Sequence, residues 1–525
     1  MRSNAERKSP FCGLARGLAP AAVLAACALR AEPQSAPTLA PLFADHLVLQ
    51  CDKPDPVWGS AAPGETVSVA FHGETQTAKA GADGRWQVSI GPFKATGDSA
   101  DLVVTGSASV TLHDVVVGEV WICSGQSNME FVVDSGPGTY QVLNNVAEVA
   151  SARFPLIRQF AVDKTVAASP QAGVKATGWV AASPQTVGNF TAVGYFFARD
   201  IHRALGVPVG IILSSWGGTP VQSWMSDEAR HATSVGAAID ERWKNELAAW
   251  PPERVASQPA VMAAWQKSEE ESKAKHVQNP LPWPGFAATD TSPNRPGGLF
   301  NGMIAPLEPA AIRGFLWYQG ESNTGHPNEY AELFGAIIKS WRTGFGQGDL
   351  PFYFVQLANF GNEYELKDRN WALLRDAQTQ TLSLPATGMA VTVDIGNADN
   401  IHPRNKQEVG RRLALIARAN VYGLRPESSG PVYSAAAVEG KSIRVHFSHC
   451  TELSVHGDRV ASLEIAGTDR VFYPASGAVE ADTLRVSSPD VPEPVAVRYA
   501  WTNAPTANLY GDSGLPVVPF RTDTW

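Results

Sequence analysis

The sequence predicts an α/β protein: a parallel sheet flanked by helices, with an N-terminal and a C-terminal β-domain. Three observations carry this. From Val116 to about Gly423, strand-length apolar runs alternate with amphipathic helical stretches, the pattern of a parallel sheet built by crossovers. On either side, residues 40–115 and 424–525 show only short β signals separated by turn residues. The chain has 525 residues, too many for one simple core, so two or three domains are expected.

Residues 1–31 read as a secretory signal. Arg2, Arg7, Lys8 and Arg16 precede a mostly apolar run, Leu18 to Leu29, too short for a membrane span. Leu24-Ala-Ala-Cys27 resembles a bacterial lipobox, which would make Cys27 a lipidated first residue and a membrane attachment. Ala26-Cys-Ala28 fits a signal-peptidase site equally. Export to the periplasm, or lipid anchoring at the cell envelope, is the expectation. Downstream lie Cys51, Cys123 and Cys450, an odd number without metal-ligand spacing, so no disulfide framework is indicated. Cys123 is expected to be a small buried apolar residue.

In residues 40–115, Val67–Phe71 alternates, Gly73-Glu74 and Ala82-Asp-Gly84 mark turns, and Arg85–Ile90 and Leu102–Val104 read as strands. A small β-sandwich is expected. In the middle region, Val115–Val117 and Val120–Ile122 form a run suited to a strand buried on both faces. Val193–Leu205, Asn328–Trp341 and Lys406–Ala419 read as helices; Val207–Leu213, Phe352–Leu357 and Met389–Val393 read as strands. An insertion at 227–296 has a charged helical half (Asp240–Lys275) and a Pro/Trp-rich half (Pro280–Pro296). It is either a cap over the site or a surface excursion. Beyond Gly423, strands are expected at Ile443–Phe447, Leu463–Ala466, Thr483–Ser487 and Val495–Trp501, with Pro516–Phe520 an extended tail.

Composition narrows the function. A hydrophobic content of 44% with 46 Gly and 38 Pro fits a globular, loop-rich protein. A net charge of −9 argues against nucleic-acid binding and offers no steering toward anionic substrates. Fifteen Trp are many; most are core, and some are expected to line a sugar site.

Three strand ends carry candidate chemistry. Ser127, in Ser124-Gly125-Gln126-Ser127-Asn128, comes just after the buried strand, where open α/β sheets bind ligands. It is also placed to begin a helix, so an N-cap role alone would account for it. The second cluster is Gly314-Phe-Leu-Trp-Tyr-Gln-Gly-Glu-Ser-Asn323. The third, Val391 to Pro403, presents Asp394, Asp399 and His402. A hydroxyl needs a base to be nucleophilic at neutral pH, and the base needs a group that fixes its tautomer.

G-Q-S-N-M (125–129), S-W-G-G-T-P (215–220), W-Y-Q-G-E-S-N (317–323) and I-H-P-R-N-K-Q-E-V-G-R-R-L (401–413) together resemble the sialate O-acetylesterase family. This is a branch of the SGNH hydrolases, and the resemblance runs from about Leu42 to the C-terminus. It implies an SGNH-like sheet preceded by a β-domain that opens on Leu42–Gln50. It further implies an O-acetylated sugar or glycan as substrate, Ser127 as nucleophile and His402 as base. Asp399 fits the family's D-x-x-H spacing as orienter, with Asp394 the competitor and a Ser–His dyad a third option. The implied oxyanion donors are the Ser127 N–H, an N–H of Gly217-Gly218 and the Gln319 side chain. Glu321 reads as a residue that holds loops together. No cofactor is implied, and His326, His402, His446 and His449 share no metal-ligand spacing. Sialic acid is the leading substrate; a plant-type glycan (xylan or xyloglucan) and a non-catalytic carbohydrate-binding role are the alternatives.

Overall fold

The computed structural model describes residues 36–134, 136, 141–274, 279–361, 369–424 and 427–525. The expected signal segment, with Cys27, lies outside the described residues.

The strand leading to Ser127 organises the chain. It runs from Ser109 to Gly125, 17 residues, and every residue from Val115 onward is buried. Its first half pairs antiparallel with Thr96–Thr105 in the N-terminal β layer. Its second half pairs parallel with Val209–Ser215 on one side and Gly314–Tyr318 on the other. The boundary expected at 115/116 therefore falls inside a continuous strand. The N-terminal layer shares a sheet with the catalytic region and is faced by a small antiparallel sheet of Thr38–Leu39, Asp55–Ser60 and Arg85–Ile90. Strict alternation puts Val67, Val69 and Phe71 of one layer, and Trp86, Val88 and Ile90 of the other, into the core.

The central sheet has the order Ala176–Ala182, Phe154–Val162, Val209–Ser215, Ser109–Gly125, Gly314–Tyr318, Phe352–Val355, Thr387–Ala390, and only the first of these is antiparallel to its neighbour. Register shows how both faces are covered. Phe315 lies beside Ile122 and so shares its face, opposite to Trp121. Trp121 packs edge-on against Phe197 of the helix Ala192–Leu205, whereas Phe315 packs against Trp341 and Phe345 of the helix Pro327–Phe345. Helices on both faces explain why these strands are apolar throughout rather than alternating. The helix Ala192–Leu205 also meets Lys406–Asn420 closely: a Cβ on Gly410 would lie 2.6 Å from that of Phe196.

Beyond residue 430 lie two antiparallel four-stranded sheets, holding the strands expected there. The expected extended tail is a working part of this unit: Val517, Val518 and Phe520 are buried, and Phe520–Arg521 pairs with Ala496–Tyr499. Bidentate contacts of Arg369 with Glu464 (2.7 and 3.0 Å), and hydrogen bonds from Arg375 to the Thr502 and Asn503 carbonyls, dock it on the catalytic region. In the insertion, helices cover Asp227–His231, Gly236–Ala248 and Pro252–Ala274, and Arg242 ties it down through both oxygens of Glu329.

Candidate active site

Gly125 ends the central strand at φ +131°, and a Cβ there would fall 2.1 Å from the Tyr318 carbonyl oxygen, so only glycine fits. The next N–H, of Gln126, donates to that carbonyl at 2.9 Å. The buried Gln126 side chain accepts from the Gly320 and Ser322 amides, tying two strand ends together. Ser127 then opens a one-turn helix, Ser127–Glu130, whose N-cap is Gln126. The Ser127 side chain is thus not used as a cap. Its Oγ lies 2.8 Å from His402 Nε2. If Nδ1 carries the ring proton, Nε2 can accept the hydroxyl proton and leave an oxygen able to attack a carbonyl.

His402 reaches Ser127 from a loop ordered by its own asparagines. Asn397 Oδ1 accepts from the Asp399 amide (2.9 Å) and Asn400 Oδ1 from the His402 amide (2.8 Å). Asn405 caps the helix Lys406–Asn420 by accepting from the Glu408 amide. The two candidate orienters differ. Asp394 is nearly buried, bound through both oxygens to Arg412 (2.6 and 2.7 Å) and accepting from the Tyr510 hydroxyl (3.3 Å). Its carboxylate is committed to the ion pair with Arg412, and the Tyr510 hydroxyl links it to the C-terminal unit. Asp399 is exposed on the His402 loop.

The expected oxyanion donors are distributed unevenly. The Ser127 amide, first in its helix, has no intrahelical acceptor. Gly217 lies against Ser127, 3.1 Å separating its would-be Cβ from the serine Cβ, but its N–H donates to Glu130 Oε2 at 2.6 Å. Lys164 Nζ holds the other Glu130 oxygen at 2.6 Å. Gly218, at φ +76°, turns the loop toward Phe286 of the insertion. Gln319 is fully buried and satisfied: Nε2 donates to the Thr219 carbonyl (3.2 Å) and to Asn323 Oδ1 (2.8 Å), and Oε1 accepts from the Tyr330 hydroxyl (2.9 Å). An amide with both hydrogens placed inside the protein has none left to offer a developing oxyanion. In this arrangement Gln319 braces two strand-end loops.

Sequence reasoning read Glu321 as a residue that holds loops together but missed its partners in a buried polar trio beneath the nucleophile. Asn128 accepts from Lys406 Nζ (2.5 Å) through Oδ1 and donates through Nδ2 to Glu321 Oε1 (2.5 Å) and the Ile401 carbonyl (3.0 Å). It therefore ties the residue after the nucleophile to the residue before the base. Burial pushes the Lys406 ammonium down to about 7, with Glu321 partly opposing, and the Lys406 head lies over the rings of Phe131 and Tyr318. Burial likewise raises the Glu321 carboxyl, offset in part by Asn128 and Lys406. One signal for it was present: a lysine opening a helix faces the positive end of the dipole, so something other than local electrostatics must hold it there. Cys123 is buried in the nucleophile strand, and its thiol is pushed far up by burial, as befits an inert packing residue.

Comparison with known proteins shows the family. Residues 289–418 match a family described as carbohydrate esterase, sialic acid-specific acetylesterase. Sialate O-acetylesterase of Rattus norvegicus is 30% identical, with 91% of this chain and 92% of that protein aligned. The chain belongs to the sialate O-acetylesterase family. The Mus musculus family member is equally similar, at 30% identity over the same shares. Among solved structures, a carbohydrate acetylesterase from Xanthomonas citri superposes with a TM-score of 0.78 at 38% identity, covering 93% of this chain and 100% of that one. In this sialate O-acetylesterase relative of animal and bacterial proteins, the matched segment 289–418 holds Gln319, Glu321, His402 and Lys406.

Proposed function

We propose that this chain is an exported serine esterase that removes O-acetyl groups from a sugar, with sialic acid the leading substrate. The observation that carries the mechanism is the 2.8 Å contact between Ser127 Oγ and His402 Nε2 at the end of the central strand. Ser127 Oγ attacks the acetyl carbonyl while His402 takes its proton. Collapse of the tetrahedral intermediate breaks the bond to the sugar oxygen, and His402 returns the proton to that oxygen. Water, deprotonated by His402, then releases acetate and restores Ser127. Asp399 is the proposed orienter of His402, since Asp394 already serves Arg412. The Ser127 and Gly218 amides are the proposed oxyanion donors, because Gly217 and Gln319 have other acceptors.

Acetate release from O-acetylated sialic acids, acetylxylan and acetylated xyloglucan tests the reading and ranks the substrates. Activity on at least one of these, abolished in Ser127→Ala, is expected. A folded protein that binds such glycans without releasing acetate would be a carbohydrate-binding protein on an esterase scaffold instead.

A further inference from the structure

The insertion brings aromatic rings to the rim of the candidate active site. Phe286 lies 3.1 Å from where a Gly218 Cβ would be, next to Gly217, which touches Ser127. Trp283 packs edge-on against Phe286 (centroids 5.6 Å, 81°) and against Trp265 of the helix Pro252–Ala274 (4.7 Å, 81°). The ridge is built rather than loose. Trp265 Nε1 donates to the Leu281 carbonyl, Gln258 Nε2 to the Gly285 carbonyl, and Asn279 Oδ1 accepts from both Ser268 and the Leu281 amide. Trp283 nevertheless stays 47% exposed. Polar contacts pin the segment on both sides of a tryptophan whose own surface is left half in water, beside the 44% exposed Leu281.

We propose that Trp283, backed by Phe286, is a sugar-stacking platform that takes a second pyranose ring of the substrate, beyond the acetylated unit held at Ser127. This rests on the carbohydrate-esterase reading of the Ser127–His402 site. A pyranose ring has an apolar C–H face that covers an indole without needing charge, and a glycan chain continuing from an acetylated unit at Ser127 meets Phe286 and then Trp283. The platform makes the enzyme prefer oligosaccharides over monosaccharides, and it acts on binding rather than on the chemical step.

The probes are chemically acetylated xylose, chemically acetylated xylotetraose and p-nitrophenyl acetate, each with wild type, Trp283→Ala and Trp283→Phe. Wild type is expected to favour the tetraose over the monosaccharide. Trp283→Ala should lose about tenfold in kcat/KM on the tetraose, through KM, and nothing on the two small substrates; Trp283→Phe should recover part of the loss. Equal losses on all three substrates, or no length preference in wild type, overturn the platform and leave the esterase standing. Release from O-acetylated sialic acids with none from either xylose probe overturns the platform and leaves the esterase standing; hydrolysis of p-nitrophenyl acetate with no release from any of these acetylated sugars overturns the carbohydrate reading and the platform with it.

Discussion

The Gly217 amide donates to Glu130 Oε2 at 2.6 Å, so a carboxylate three residues after the nucleophile fixes the turn that faces it. Lys164 holds the other oxygen of the same carboxylate. Removing it in Glu130→Ala should loosen the turn and lower kcat on p-nitrophenyl acetate about tenfold, with Glu130→Gln intermediate. A faster Glu130→Ala enzyme would mean instead that the carboxylate occupies a donor the oxyanion needs.

His402→Ala should cost at least about three orders of magnitude in kcat, since it is the base in hydrogen-bond reach of Ser127 Oγ. His402 sits half-buried in a polar loop, so the melting temperature should move little. A variant that keeps wild-type acetate release removes His402 from the mechanism.

The two aspartates should separate by readout. Asp399→Asn is expected to lower turnover by up to about four orders of magnitude with stability intact. Asp394→Asn takes one partner from the buried Arg412, whose other carboxylate contact is Glu408 at 2.8 Å, and should destabilise by about 3 kcal/mol. Acetate release at matched folded concentration, beside urea denaturation, reads both effects. Near-normal turnover in both variants would leave a Ser127–His402 dyad.

Lys406 makes stability depend on pH in a defined window. Its folded value, about 7, lies below the ordinary 10.5, so between these the unfolded chain holds a proton that the folded one does not. The penalty is absent above about 10.5, grows as pH falls, and is constant below 7. Wild type should therefore gain up to about 2 kcal/mol from Lys406 between pH 7 and 9, and Lys406→Met should lack that gain. Glu321 works oppositely: its raised carboxyl makes its share of stability fall as pH rises above 4.5. Urea denaturation of both proteins at pH 7 and 9 checks this; parallel curves would refute it.

Export is expected to give a mature chain beginning near Cys27 or Ala28. N-terminal sequencing and mass measurement of protein from its native host check this, a diacylglyceryl mass at Cys27 marking the lipidated form. Recovery of Met1 would exclude it.

Features set by chain-local rules were legible in the sequence. Alternation placed the strand at Val67–Phe71, helical patterning placed Val193–Leu205 and Lys406–Ala419 within a residue of the observed helices, and strand-end motifs pointed to Ser127 and His402, which the fold brings together across 275 residues. Partnerships between distant segments were not legible. Asp394 stood as a competing orienter because its partner Arg412 stands 18 residues on, and Gln319 read as an oxyanion donor because Thr219 and Asn323 reach it only once two loops meet. The Asn128–Lys406–Glu321 contacts lay inside recognised motifs, yet spacing alone cannot reveal that an amide bridges an ammonium and a carboxyl.

The unbroken strand from Ser109 to Gly125 sets how this molecule comes apart. Its upstream half is held by the N-terminal layer and its downstream half by the catalytic sheet, so neither can melt without pulling the other out of register. The two regions should behave as one cooperative unit, exchanging their deepest amide hydrogens together. A chain begun at residue 116 would keep the nucleophile but lose the anchor for its strand, exposing Val116–Gly118 where Val48–Gln50 now lies. The N-terminal layer thus belongs to the scaffold that aims Ser127, because both are strung on one strand.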